Sequence, residues 1–464
     1  MNCRGFQLRC EAQDGQRWIA DESGMEVRAV TQGVVPGGPV FVSYRQSDGK
    51  TSVTELAWLL RAAGIPVWHD LTDLPPGETE QRLEEALAAG LSGAVLLVTP
   101  EIAKSSIVQQ VELPALLDLY KDPEFALAVA STIRKPDGKF DYGAPDDVLN
   151  QPRTLAAFKQ YAADSRTELV ELARQMANYR ASRIAAAGRA PTVPLHIGVQ
   201  TRGRPITLLP GAADLSITLR SGQSGRLPDA EGLRDLQSTL PFLSDTFRQT
   251  GSKTVRVTGG AHLSLAYAIG AALPATLVGA LTVEGTDGEA WSCGTVSAGV
   301  DNGLVQRVAY GMNAAKAPGE PHAVVAFVEL LPGRSEAAYT RLLSERNDFD
   351  AWEYLRPAAP GPLDPATAGA LIEAVADHLR RLAQRHNNAT LHLLLRCPFP
   401  VAVLLGRLCN TMRTVLYEWD DTELPADPDH RPRYVPVAAV RAGSATGPIT
   451  DVLLAAPTSA GATA

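Results

Sequence analysis

Cysteine is scarce and poorly spaced for a structural role. The 464-residue chain has five (Cys3, Cys10, Cys293, Cys397 and Cys409), an odd number with no C-x-x-C pair. This argues against a disulfide framework or a structural zinc site and fits a reducing, cytoplasmic interior. A basic surplus is also missing. Lys and Arg number 43 against 51 Asp and Glu, a net charge of −8, with no block of one sign. Wrapping duplex DNA or RNA needs a basic surface, so that partner class is demoted, whereas a small anionic nucleotide needs only a few local donors. There is no Walker A loop, no H-E-x-x-H helix and no clustered set of metal ligands, so no metal is expected. The opening residues, MNCRGFQLRCEAQDGQRW, lack an apolar core, and no signal peptide is expected. One uncharged run, residues 261–283, is long enough to cross a bilayer, but Gly270, Pro274 and Gly279 interrupt it. It reads instead as a buried helix ending near Leu273-Pro274, then a buried strand Leu277–Val283.

What is present is an ordinary globular balance, with 45% apolar and 20% charged residues. Residues 1–37 are aperiodic and receive no fold. Over 38–160, apolar runs alternate with helical patterns. Phe41–Tyr44 reads as a strand. A capping box of Ser52 and Glu55 then predicts a helix with Leu56, Leu59, Leu60 and Ala63 on one face and Gly64 as its stop. Further strands are expected at Ile65–Trp68, Ala94–Val98 and Phe125–Ala130, with a helix at Thr79–Ala89. This alternation predicts an α/β unit, a parallel sheet with helices on both faces. Residues 161–191 read as a linker helix, capped by Ser165 and Glu168, carrying Leu169, Leu172, Ala173, Met176 and Ile184 on one stripe, and ended by Gly188 and Pro191.

The remainder, 192–464, contains an internal repeat at an offset of 136 residues. Thr254–Thr258 falls on Thr390–Leu394, Ala266 on Ala402, Gly270 on Gly406, and the stripe Leu236, Leu240, Leu243 on Ile372, Ala376, Leu379. Each half reads helix, strand, loop, apolar helix, strand. Open α/β sheets bind ligands beyond the carboxyl ends of their strands. The loops there are Gly259–Ser264 and Arg396–Pro400, so His262, Ser264, Arg396, Phe399 and Pro400 are the candidate ligand residues. They supply donors, a guanidinium and an aromatic face suited to a phosphorylated ligand with bases to stack. As turn residues alone, the glycines and prolines of these loops have an equally good account.

The first unit carries, in order, PVFVSYR (Pro39–Arg45), GIPVWHDLTDLPPGETEQRLEEAL (Gly64–Leu87) and LLVTPEIAKSSIVQQVEL (Leu96–Leu113). On these three runs it resembles the TIR domain family. It implies a flavodoxin-like sheet, with Asp70–Gly77 as the BB loop. Three departures stand out: Pro39 in place of the family's usual Asp, Ile107 in place of Trp or Cys, and Glu80 in place of Trp. The enzymatic branch of the family cleaves NAD+ with a Glu on the helix after the BB loop, which matches Glu84. Helical spacing agrees, because Leu83, Ala86 and Leu87 form the apolar face and Glu84 lies about 100° around from Leu83. Glu80 lies one turn earlier, where like-charge repulsion can raise a pKa. Tyr44, Arg45, Trp68, Asp70 and Glu80 are then the candidate NAD+-binding residues, Arg45 for the pyrophosphate and Tyr44 or Trp68 for a ring. A solvated acidic face is the competing account of Glu78, Glu80, Glu84 and Glu85.

The runs LHLLLRCPFPVAVLLGRL (Leu391–Leu408), TVLYEWDD (Thr414–Asp421) and RYVPVAAV (Arg433–Val440) of the second unit carry a resemblance to the SAVED domain. That resemblance implies two fused CARF-like, Rossmann-like halves that sense a cyclic oligonucleotide, with cyclic tri- or tetra-adenylate as the expected messenger, in a CBASS antiphage system. NAD+ is then substrate, the oligonucleotide is activator, and no cofactor is expected. Expected partners are the messenger, NAD+ and further copies of the chain assembling head to tail, with neither duplex nucleic acid nor membrane. Two rival readings remain at this stage. One is a non-catalytic TIR scaffold gated by a nucleotide-sensing domain. The other is a C-terminal domain that is itself a nuclease or hydrolase, for which His262 and Glu418 are unpaired candidates.

Overall fold

The structure is a computed structural model. It describes residues 34–68, 90–151, 155–202, 213–222, 225–285, 287–294, 303–313, 320–333, 335–422 and 432–455, with the backbone of three short strands before them. The chain divides into two compact units, one built mainly on Met1–Leu60 and Ile65–Ala187, the other on Gly188–Leu208 and Asp214–Ala464. Residues 1–37, which the sequence left without a fold, contribute the strands Cys10–Glu11, Arg17–Ile19 and Arg28–Val30, paired antiparallel.

In the first unit β1 (Val40–Ser43), β2 (Val67–Trp68), β3 (Gly93–Val98), β4 (Ala126–Ser131) and β5 (Gln160–Ala162) form one all-parallel sheet in the order β2-β1-β3-β4-β5. All six residues of β3 are buried, as a parallel strand covered on both faces requires. On one face Leu96, Val98 and Val129 pack with Val108 and with Leu113 of α2 (Leu113–Leu119). On the other, Leu97 approaches α1 (Gln46–Ala62) at Gly49. The expected capping box of α1 is a correction. The helix already begins at Gln46, Ser52 lies inside it, and Glu55 accepts a hydrogen bond from Arg166 Nη1 at 2.7 Å. Gly64 does end the turn, at φ 86°. After α3 (Ala144–Leu149), the helix expected as a linker is α4 (Arg166–Ala186). Ser165 caps it by accepting the Glu168 N–H. It packs into the first unit: Leu169, Leu172, Ala173 and Met176 are buried, and Arg180 donates to the carbonyls of Gly37 and Gly38 at 2.7 and 2.9 Å.

The second unit holds two sheets. The first comprises β6 (Leu195–Gln200), β7 (Leu215–Thr218), β8 (Thr254–Gly260), β9 (Ala280–Glu284) and β10 (Ala290–Ser292), ordered β7-β6-β8-β9-β10, with only β10 antiparallel. The second has β11 (Val305–Met312), β12 (Ala323–Glu329), β13 (Ala351–Pro357), β14 (Thr390–Arg396), β15 (Thr414–Asp420), β16 (Arg433–Val440) and β17 (Ile449–Val452), ordered β11-β13-β12-β14-β15-β16-β17. Four central strands, β13, β12, β14 and β15, run parallel. The helices are α5 (Ala230–Thr250), α6 (Leu263–Ala272), α7 (Ala337–Glu345), α8 (Ala368–Arg385) and α9 (Phe399–Leu408). The repeat offset holds residue for residue, since β8 and β14, and likewise α6 and α9, start and end 136 residues apart. Within the uncharged run, α6 ends at Ala272 and the strand begins only at Ala280, three residues later than expected. Among the described residues no helix is long and apolar enough to cross a membrane.

Candidate functional site

In a parallel sheet ordered 2-1-3-4-5 the connections diverge between β1 and β3, and open α/β sheets bind ligands in the crevice beyond the carboxyl ends at such a point. Ser43, the last residue of β1, donates its hydroxyl to Glu112 Oε2 at 2.5 Å, and both residues are buried. Glu112 closes a π-helical turn, Val108–Glu112, that runs directly into α2. Single π-turns of this kind are frequent at functional sites. Arg45, two residues past Ser43, sets Nη1 at 2.7 Å from Glu101 Oε2 and 3.5 Å from Asp48 Oδ1. Glu101 also accepts from Lys104 Nζ at 2.8 Å. That hydrogen bond and charge, with Arg45 behind them, hold the exposed carboxyl of Glu101 below its ordinary value.

Of the residues expected to meet NAD+, Arg45 stands at this crevice with its side chain 22% exposed. Tyr44 is buried, so its ring has no face free for stacking, a correction to the sequence reading. Trp68 is half-buried and packs against the cluster of Leu91, Ala94, Leu116 and Phe125. Asp70, Glu80 and Glu84 lie outside the described residues.

In the second unit the matched strands β8 and β14 deliver the two expected loops to equivalent places, but their side chains are unevenly available. His262 is fully buried at the N-cap of α6. The Thr201 hydroxyl accepts its backbone N–H at 2.9 Å and lies 3.0 Å from Nδ1. Burial, with the positive Arg202 nearby, pushes the imidazole down to about 3, so it stays neutral. Ser264 is also buried, and both its N–H and its hydroxyl donate to Glu418 Oε1 at 2.7 Å. Glu418 comes from β15, and its burial pushes that carboxyl up despite the bonds from Ser264. Ser264 is therefore committed to an internal acid rather than free for a ligand, which corrects the expectation. Pro400 is buried too, while Phe399 is half-buried.

Arg396, at the end of β14, is accessible and pre-set. Nη1 donates to the buried Glu329 at 2.8 Å and to the Gly333 carbonyl at 3.2 Å. The sequence missed Glu329, Arg356 and Tyr354, which join this cluster from β12 and β13. Only the register of three strands brings them together, and no local pattern reports that register. Among the described residues no group of acidic, His and Cys side chains is placed to hold a metal ion.

Fold and edge chemistry define a two-module α/β protein with charged and polar side chains at the carboxyl ends of its parallel strands. Residues 40–141 match the family model of the TIR domain. Residues 235–440 match that of SAVED, the SMODS-associated and fused to various effectors sensor domain. The chain is thus a TIR domain joined to a SAVED domain. Among solved structures it is similar to the Acinetobacter baumannii Cap4 SAVED/CARF-domain containing receptor with a cyclic trinucleotide (12% identity, 86% of this chain and 99% of that one, TM-score 0.41). The Moraxella osloensis Cap4 receptor is similar at 11% identity, with 84% and 98% covered and a TM-score of 0.34. No curated protein matches the chain.

Proposed function

We propose that the chain degrades NAD+ when a cyclic oligonucleotide occupies its SAVED domain, as an effector of antiphage defence. The observation that supports this best is the union in one chain of a TIR match over 40–141 with a sensor-domain match over 235–440. Cleavage of the bond between nicotinamide and ribose releases a neutral leaving group, so no strong general acid is needed. What develops is a ribosyl oxocarbenium ion, as in glycoside hydrolysis. A carboxylate beside the ribose stabilises that charge, and Glu84 is assigned this role. Arg45, held by Glu101 and Asp48 at the crevice, is assigned to the pyrophosphate.

Activation is by assembly. Messenger binding stabilises a head-to-tail array in which the BB loop of one copy completes the pocket of the next. A cyclic adenylate, with cyclic tri-adenylate first in line, is the messenger class. The test is direct: incubate the full chain with NAD+ and a panel of cyclic oligonucleotides, follow free nicotinamide, and record mass by light scattering. Release that depends on one ring, rises with mass and is lost in Glu84→Gln supports the reading. Turnover retained by Glu84→Gln excludes that residue, full activity at unchanged mass excludes assembly, and no release with any ring leaves a scaffold.

A further inference from the structure

The repeat allows each edge residue of one half of the sensor to be compared with its counterpart in the other. Gly260 and Arg396 end the matched strands. Gln200 is the cross-strand partner of Gly260, and Glu329 that of Arg396. One strand further out, Thr218 pairs with Gln200, while Arg356 follows Leu355, the partner of Val328. A neutral row, Thr218–Gln200–Gly260, thus corresponds to a charged row, Arg356–Glu329–Arg396.

The charged row is built from behind. Glu329 is fully buried and accepts from Arg396 Nη1 and from the Ser335 N–H, each at 2.8 Å, and from the Tyr354 hydroxyl, with Arg356 Nε at 3.6 Å. Both guanidinium groups also reach the Gly333 carbonyl at 3.2 Å. Their side chains remain 29% and 19% exposed for Arg396 and Arg356. Glu336, whose Oε1 lies 3.5 Å from the Tyr354 hydroxyl, is the other acid of the cluster. Arg396 Nη2 also donates to the Pro332 carbonyl at 3.4 Å. Two guanidinium groups fixed on one buried carboxylate and still part-exposed are pre-organised for phosphate oxygens. On the first-half side, where Arg202 is a cation near His262 and Glu418, the start of α6 is already filled, because Glu418 takes both the N–H and the hydroxyl of Ser264. At the position of Glu418 in the repeat, the first half has the uncharged Thr282.

We propose that the two edges divide the recognition of one ligand. Arg396 and Arg356, positioned by Glu329, take its phosphates, and the first-half edge, where Glu418 already occupies the Ser264 N–H and hydroxyl, takes its neutral sugar and base groups through Gln200 and the Gly259-Gly260 backbone. This rests on the messenger reading above. The experiment titrates cyclic tri-adenylate and cyclic tetra-adenylate into the full chain by calorimetry at two salt concentrations, with circular dichroism of every variant. Arg396→Ala and Arg356→Ala are each expected to weaken binding about tenfold or more and to flatten its salt dependence. Arg396→Lys restores part of the salt dependence without the full affinity. Gln200→Ala weakens binding equally at both salt concentrations. Tight binding by the wild type with indifferent arginines, or a salt dependence moved only by first-half variants, overturns the division. A wild-type chain that binds neither ring overturns the adenylate reading and the division with it.

Discussion

Gly270 and Gly406 meet at one crossing of α6 and α9, each lying on the backbone of the opposite helix. A Cβ on Gly270 would stand 1.9 Å from the Val403 carbonyl oxygen, and one on Gly406 would stand 2.0 Å from that of Tyr267. Neither obstacle is a flexible side chain, so the helices themselves must part. Gly270→Ala or Gly406→Ala is therefore expected to destabilise the second unit by about 1–3 kcal/mol, the usual cost of overpacking a dense contact. A urea denaturation series on the full chain measures it, and a midpoint unchanged from wild type would contradict the close approach.

Arg407 closes the same junction. Buried on α9, it donates to the carbonyls of Leu273 at 3.0 Å, Val278 at 2.7 Å and Gly279 at 3.3 Å, and so caps the end of α6 and the turn beyond. Burial lowers its pKa from the usual arginine value. Arg407→Met fills most of the volume but leaves three carbonyls without that donor. The expected loss is about 2–4 kcal/mol, the scale of charged hydrogen bonds and unsatisfied buried acceptors. Faster amide exchange confined to 273–279 would locate the damage.

His262 predicts a dependence on pH. Its folded pKa of about 3 lies below the ordinary histidine value of 6.5. Above pH 6.5 both states are neutral there, but below it the unfolded chain takes a proton that the folded chain refuses. Stability from this group thus falls on acidification, by about 1.4 kcal/mol per pH unit, until the folded pKa is reached. Glu418 opposes it: its raised pKa makes the folded chain the better proton binder, a contribution lost as pH rises. Denaturation midpoints between pH 4.5 and 7.5 for wild type and His262→Gln separate the two, since only the histidine contribution vanishes in the variant.

At the TIR crevice Arg45→Ala is expected to raise KM for NAD+ about tenfold while changing kcat less, the signature of lost binding rather than lost transition-state stabilisation. Arg45→Lys keeps the charge but loses the two-pronged donor geometry and should fall between. Steady-state nicotinamide release under activating conditions provides the numbers. A fall in kcat with KM unmoved would take Arg45 out of the pyrophosphate role.

The sheets were legible because their central strands are continuous apolar runs. Ala94–Val98 was read within one residue of β3, and the 136-residue offset carried over to strand and helix ends alike. Local patterns misled where a partner distant in sequence decides the outcome. Ser52 and Glu55 have capping-box spacing, yet Glu55 serves Arg166, and the helix starts earlier, where the Gly49 N–H already bonds the Arg45 carbonyl. Ser264 looked like a ligand donor because it follows a glycine loop, but its acceptor is Glu418 on another strand. The antiparallel β11 was not read, since most of its residues are exposed and no apolar alternation marks it.

Because α6 and α9 touch backbone to backbone at their glycines, with Arg407 riveting the ends, the halves of the sensor have no lubricated seam along which to slide. On the proposed reading, a messenger is then reported without a jaw opening between them, through the contour that the loops beyond β8 and β14 present.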